Sequence, residues 1–339
     1  MSENSRITKK GKIKQHFVPQ FYLRNFGTEI HCFDKKKDVK FKSTPENVAA
    51  KSDFYGGEYE GIPSLETVFS QLEGNHAIAM RTLIEKQNYY KLPHEQKLAI
   101  CEFLAFQYLR TEESRKGITR LTEEAYNLLG AKIIPENLKV KLTEKGSIDM
   151  HLKTMTDYRR LAVLFFNMKF AIFLNKTEIP FWTSDNPISK QNEYDTNPYG
   201  NLGIVNKGIE IHLPLTPTLC LYALDPTLFC HIPDLQKVLT KQHVIRENFL
   251  QLRYSTRFVY SNTNRFHLIT SMLKSNPHLR DDSRSDFEVF VGHGKNATYL
   301  ITSERNDRWP IKNRIMGEME TWVDPDFVDQ LNNNKKYDE

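Results

Sequence analysis

Gln15-His16-Phe17-Val18-Pro19-Gln20-Phe21-Tyr22-Leu23-Arg24-Asn25-Phe26 packs a histidine, a proline, four aromatics and three amides into twelve residues. Pro19 fixes its own φ and pushes Val18 toward an extended backbone, so a boundary falls there. Gln15 to Val18 reads as extended and Gln20 to Phe26 as one or two helical turns. His16 then stands just ahead of a helix start, where backbone N–H groups and the dipole favour an anion. The competing reading is a histidine that caps a turn.

Upstream lies a basic leader, residues 1–14, with Arg6, Lys9, Lys10, Lys12 and Lys14. It reads either as a solvated tail or as an arm for nucleic acid. Downstream, Glu29-Ile-His-Cys-Phe and Val39-Lys-Phe-Lys flank Asp34-Lys-Lys-Lys-Asp38, a β-hairpin pattern with a charged turn. Helical periodicity follows over about Ser64–Lys86, His94–Gly130, Ile148–Leu174 and Pro233–Val259. On the first of these, Glu66 and Glu73 fall in phase with Phe69, Met80 and Ile84. On the second, Gln107 and Arg110 continue the face begun by Ile100 and Phe103, so both should point inward and be hydrogen-bonded. On the fourth, Val238, Ile245, Leu252 and Val259 sit at heptad spacing, with Asn248 in the same phase.

Ile179 to Thr183 reads as a strand that ends on Ser184-Asp185-Asn186-Pro187. A carboxylate at a buried strand end suits catalysis or a metal, and equally an Asx turn. Gly208 to Leu224 forms a hairpin or bent strand, broken at Leu213-Pro-Leu-Thr-Pro217, and Ser271 to Asp286 reads as a loop. Gly292-His-Gly-Lys295 reads as a turn rather than a phosphate loop. The fold class expected is α+β: one mainly helical domain over 15–330, core in 15–261, with a small antiparallel sheet and a disordered tail at 331–339.

Composition narrows the function classes. Charged residues are 26% and hydrophobic ones 39%, the balance of a globular chain, and the net charge is only +5. Four cysteines form no CxxC pair, and neither a signal peptide nor a membrane span is recognisable, which implies a cytoplasmic protein. No P-loop, HExxH, GxSxG, EF-hand or GxGxxG occurs.

Five pieces occur in order: Gln15-His16-x-Val18-Pro19-x-x-Tyr22-Leu23-x-x-Phe26, Gln107-x-x-Arg110-Thr111, Trp182-Thr183-Ser184-Asp185-Asn186-Pro187, Pro214-Leu-Thr-Pro217, and Asn248 with Arg257-Phe-Val-Tyr-Ser261. Together they resemble the microbial domain-of-unknown-function family 4238. Glu112 departs from the pattern, which often has proline after the Arg-Thr pair. The resemblance implies no reaction, but it marks His16, Pro19, Tyr22, Gln107, Arg110, Ser184, Asp185 and Asn248 for testing.

The residue types suggest a metal-dependent nuclease or phosphodiesterase acting on nucleic acid. His16 would be base or ligand, Asp185 with Glu66 or Glu73 would hold Mg²⁺ or Mn²⁺, and Arg110 would clamp a phosphate. Gln107, Ser184, Asn248 and Tyr22 would contact substrate. The alternative is a non-enzymatic binding or regulatory protein whose buried polar residues are structural. A third reading is a metal-independent small-molecule hydrolase using Asp185 and His16.

Overall fold

The computed structural model describes residues 12–56, 65–129, 144–194, 201–238, 240–281, 287–293 and 298–304. The opening stretch folds as its proline dictates. Strand β1 (Lys14–His16) is followed by the short helix α1 (Gln20–Leu23) and a 3-10 turn at Arg24–Phe26. Pro19 sits at the cap with ψ 140°, ahead of the first helical residue. The hairpin forms as β2 (Ile30–Asp34) and β3 (Val39–Ser43), and β4 (Ala50–Ser52) returns to pair with β1. Its turn closes because Asp34 Oδ1 accepts the Lys36 and Lys37 N–H groups, while Asp38 takes the left-handed φ of 58°.

Helix α2 spans Leu65–Lys86. The region expected as one helix over His94–Gly130 is two, α3 (His94–Arg110) and α4 (Glu112–Leu129). Thr111 breaks it: its backbone is extended, and its hydroxyl accepts the Ser114 N–H as a cap for the new helix.

The helix expected over Ile148–Leu174 is α5 (Glu144–Met155), α6 (Tyr158–Phe166) and then a strand, β5 (Lys169–Asn175). Phe170-Ala-Ile-Phe-Leu is therefore β, not helix; a short, wholly buried apolar run has no period with which to choose. Strand β6 covers only Thr183–Ser184, shorter than the expected Ile179–Thr183, and β7 covers Ser189–Gln191. The expected hairpin at 208–224 is β8 (Glu210–Thr216) and β9 (Leu219–Leu224).

Helix α7 (Pro226–Phe229) leads to β10 (Leu235–Val238), α8 (Lys241–Tyr254) and β11 (Phe258–Ser261). The helix expected over Pro233–Val259 is thus a strand, a helix and a strand. Val238 and Val259 lie on the strands, so their heptad spacing with Ile245 and Leu252 was a coincidence of register. The supposed loop Ser271–Asp286 begins inside α9 (His267–Ser275) and continues as a 3-10 turn at Pro277–Arg280. Strands β12 (Phe287–His293) and β13 (Thr298–Glu304) form a further hairpin, so Gly292 and His293 belong to a strand. Leader residues 1–11, Ser64, and the tail at 331–339 lie outside the described residues.

The class is α+β, with more residues in helices than in strands. Its sheets exceed the one small sheet expected. A five-stranded sheet has the order β10-β5-β9-β8-β7, and a four-stranded one the order β3-β2-β11-β6. Only the β10–β5 pairing in these two is parallel. A large apolar cluster joins Val18, Tyr22 and Phe26 of the opening stretch to Ile100 and Phe103 of α3 and to Ile211 and Leu221 of the larger sheet. Among the described residues no helix is long and apolar enough to cross a membrane.

Candidate functional site

Gln107 and Arg110 point inward as their phase requires, and both grip the backbone of the opening stretch. Gln107 Nε2 donates to the Phe17 carbonyl at 3.1 Å. Arg110 donates to the His16 carbonyl at 2.6 Å, to the Tyr55 hydroxyl at 3.2 Å and to Glu73 at 2.8 Å. Its guanidinium also lies over the Phe69 and Phe106 rings. A clamp already engaged in this way holds β1 against α2 and α3. The His16 ring meets the Glu46 carbonyl at 3.2 Å and Gln20 at 3.5 Å, and burial lowers its pKa.

Tyr22 is fully buried; its hydroxyl donates to the Pro214 carbonyl at 2.6 Å and meets Thr183 Oγ1 at 2.7 Å. One residue thus ties the opening stretch to β6 and β8. Tyr22→Phe is expected to lower unfolding free energy by about 1–2 kcal/mol, because the buried Pro214 carbonyl loses its donor and the Thr183 hydroxyl its acceptor. A shift of the urea midpoint at constant slope would register it.

The remaining marked residues staple the 180–187 segment to α8. Asn248 accepts the Trp182 N–H and donates to the Pro180 carbonyl. Ser184 donates to Gln251, which donates to the Pro187 carbonyl. Asp185 is fully buried and accepts three successive backbone N–H groups, from Thr256, Arg257 and Phe258, at 2.7 to 2.9 Å. Burial pushes its carboxyl up to about 6, against the lowering by those bonds and by Lys35.

Asp185 nonetheless lines a cleft of about 230 Å³. Phe17, Val48, Ala49 and Tyr260 are among its apolar walls, and Lys36, Lys51, Lys116 and Arg257 are its cations. The acids in the lining are Glu112 and Asp185. Lys51 Nζ stands 2.6 Å from Glu112 and Lys116 Nζ 3.3 Å. Burial works against the Glu112 charge, yet the two lysines hold its carboxyl below the ordinary value. Arg257 is fixed by two bonds to Asp34, at 2.6 and 2.9 Å. The Thr256 hydroxyl is buried in the wall with no hydrogen-bond partner among the described residues. At the mouth, Phe41 meets Phe258 edge to face, with ring centroids 5.9 Å apart. Lys35 anchors this corner by donating to the Leu252 and Ser255 carbonyls at the end of α8. Asn47, another wall residue, accepts from Lys14, so the described end of the basic leader reaches the rim. His16 does not line the cleft, although its neighbour Phe17 and its strand partner Ala50 do.

A second buried polar cluster, around His212, was not marked by the sequence pattern. His212 on β8 is sealed between Glu247 of α8, 2.9 Å from Nδ1, and Glu210 of β8, 3.5 Å from Nε2. It stacks on Tyr222, its cross-strand partner, at 4.0 Å. The Tyr222 hydroxyl meets His243 Nε2 at 2.9 Å, and Gln191 links Glu210 to Arg246. Burial alone would discharge His212, but the two carboxylates outweigh it and lift the pKa to about 9. Glu247 goes the opposite way: burial raises it, His212 overrides, and it falls to about 2. The signal was legible as Glu210-x-His212 on one face of an apolar strand and His243-x-x-x-Glu247 on one face of a helix.

Glu73 is engaged by Arg110, Asp185 by backbone N–H groups, and the Glu66 side chain lies outside the described residues. Among the described residues, no group of three His, Cys, Asp or Glu side chains is arranged to hold a metal ion. No curated protein and no solved structure matches the chain. The family model described as "Protein of unknown function (DUF4238)" matches residues 14–265, most of the 339-residue sequence, and the chain belongs to that family.

Proposed function

We propose that this protein binds nucleic acid, with the phosphate backbone seated in the cleft beside the β2–β3 hairpin. The observation that carries the reading is the convergence of Lys36, Lys51, Lys116 and Arg257 on one recess. Glu112 balances part of that charge, and a phosphate would take its place between Lys51 and Lys116. Lys37 at the hairpin turn and the basic leader extend the positive field beyond the cleft. The four free thiols, three of them buried, agree with a reducing, cytoplasmic setting.

Metal-dependent cleavage through His16, Asp185 and Arg110 is the weaker reading. Arg110 spends its donors on His16, Tyr55 and Glu73, and Asp185 spends both oxygens on the 256–258 backbone. The binding reading is tested with fluorescein-labelled RNA and DNA at 50 and 200 mM salt, with and without Mg²⁺ or Mn²⁺. It expects affinity that falls as salt rises, by a log–log slope of about −0.7 per contacted phosphate of a single strand, and strands that stay intact. Absence of binding at 50 mM salt would overturn it, and metal-dependent cleavage lost in Asp185→Asn would reinstate the nuclease.

A further inference from the structure

We infer that the cleft takes an unpaired nucleotide, so that the ligand is single-stranded nucleic acid and a base stacks on Phe41 at the mouth. The inference rests on the binding function proposed above and adds the form of the strand.

Shape is the first argument. The cations line a recess of about 230 Å³, below the roughly 300–1,000 Å³ of pockets for drug-sized ligands. Duplex phosphates lie on the outer ridges of a wide cylinder and do not reach the bottom of such a recess. A strand with unstacked nucleotides can bend its backbone in. Reading a duplex calls for an element that enters a groove, a helix or a free two-stranded ribbon. The β2–β3 hairpin is no free ribbon. Strand β2 pairs with β11 on its other edge, and Arg280 bonds the turn down through the Lys35 carbonyl and Asp38.

Chemistry is the second argument. Phe41 is 40% exposed on an edge strand, an apolar ring held at the mouth of a charged cleft. A core has no need of it there. Strand alternation places Val39, also exposed, on the same face as Phe41, and turns Lys40 and Lys42 to the other. Phe258 meets the Phe41 ring nearly perpendicularly, with centroids 5.9 Å apart, and the exposed part of the Phe41 ring remains for a base to stack on. Aromatic rings beside a positive track are how sequence-tolerant single-strand binders grip their ligands, since every base has a face to stack. Phe41, Lys36 and Arg257 all line the same cleft, which brings a phosphate side and a base side together.

Three labelled probes separate the possibilities: an oligo-dT of twelve nucleotides, a hairpin duplex of equal charge, and an abasic strand with the same phosphates. Anisotropy titrations at fixed salt should give oligo-dT an affinity about tenfold or more above both others. Phe41→Ala should weaken oligo-dT about tenfold, toward the abasic value, and leave the abasic probe unchanged; Phe41→Trp should restore binding. Because Phe41 is on an exposed edge, both variants are expected to fold, which far-ultraviolet dichroism checks. Equal affinity for all three probes, or indifference to Phe41→Ala, would overturn the inference while leaving nucleic-acid binding in place. If no probe binds, the binding function itself falls and this inference with it.

Discussion

Arg110→Ala is expected to cost the fold about 3–5 kcal/mol, the range for breaking a buried charge pair by removing one partner. The guanidinium is 1% exposed and serves three elements at once: Glu73 of α2, the His16 carbonyl of β1 and the Tyr55 hydroxyl. Its loss takes a donor from the His16 carbonyl and from the Tyr55 hydroxyl, removes the cation beside Glu73, and opens space between Phe69 and Phe106. Lysine should not rescue it, since one ammonium cannot span three partners held in a planar fork. Glu73→Gln should cost clearly less, because the Glu73 side chain is 25% exposed and water already screens it. Urea titration of the three variants measures the order directly. A wild-type midpoint for Arg110→Ala would refute the clamp.

The second large effect is a stability that falls on the alkaline side. His212 is an imidazolium enclosed by Glu210 and Glu247, with Tyr222, His243 and Arg246 around them. Its folded pKa of about 9 lies above the ordinary 6.5. This contribution is therefore complete below pH 6.5 and lost as the pH climbs through about 9; a shift of that size is worth about 3 kcal/mol. Glu247, at about 2 against an ordinary 4.5, contributes fully above pH 4.5 and loses its share as the pH falls through about 2.

His76, His151 and His243 have the opposite sign from His212. Burial lowers each to about 4, so their contribution is complete above pH 6.5 and lost as the pH falls through about 4. Stability should peak near pH 6.5 and decline on both sides. Glu247→Gln should cost about 3–5 kcal/mol at the peak and flatten the alkaline decline, because His212 then loses its closest anion. An alkaline limb as steep in the variant as in the wild type would assign it to another group.

How far the sequence could be read depended on what each residue had to satisfy. Pro19, the charged turn at Asp34–Asp38 and the helical phase of Gln107 and Arg110 were legible, because local sterics and periodicity decide them. The strand at Lys169–Asn175 was not, because a run buried on both faces carries no period. Nor was the break at Thr111, where a polar residue that a helix tolerates proved to be the cap of the next one. The marked polar residues were found, but their roles were not. Tyr22, Asp185 and Asn248 each bind backbone groups distant in sequence, and Ser184 binds the distant Gln251 side chain; such partners exist only once the chain is folded. The cleft was invisible for the same reason: Lys36, Lys51, Lys116 and Arg257 come from four separate segments.

On the proposed binding function, the marked residues hold the fold and the cations of the cleft hold the ligand. The double variant Lys36→Gln/Lys51→Gln separates the two, because Lys116 remains to balance Glu112. Measured against a labelled single strand across a salt series, it should bind at least about tenfold more weakly. Its log–log salt slope should be shallower by about 1.4, two phosphates at 0.7 each, with an unchanged melting temperature. Binding and slope equal to the wild type would contradict the account.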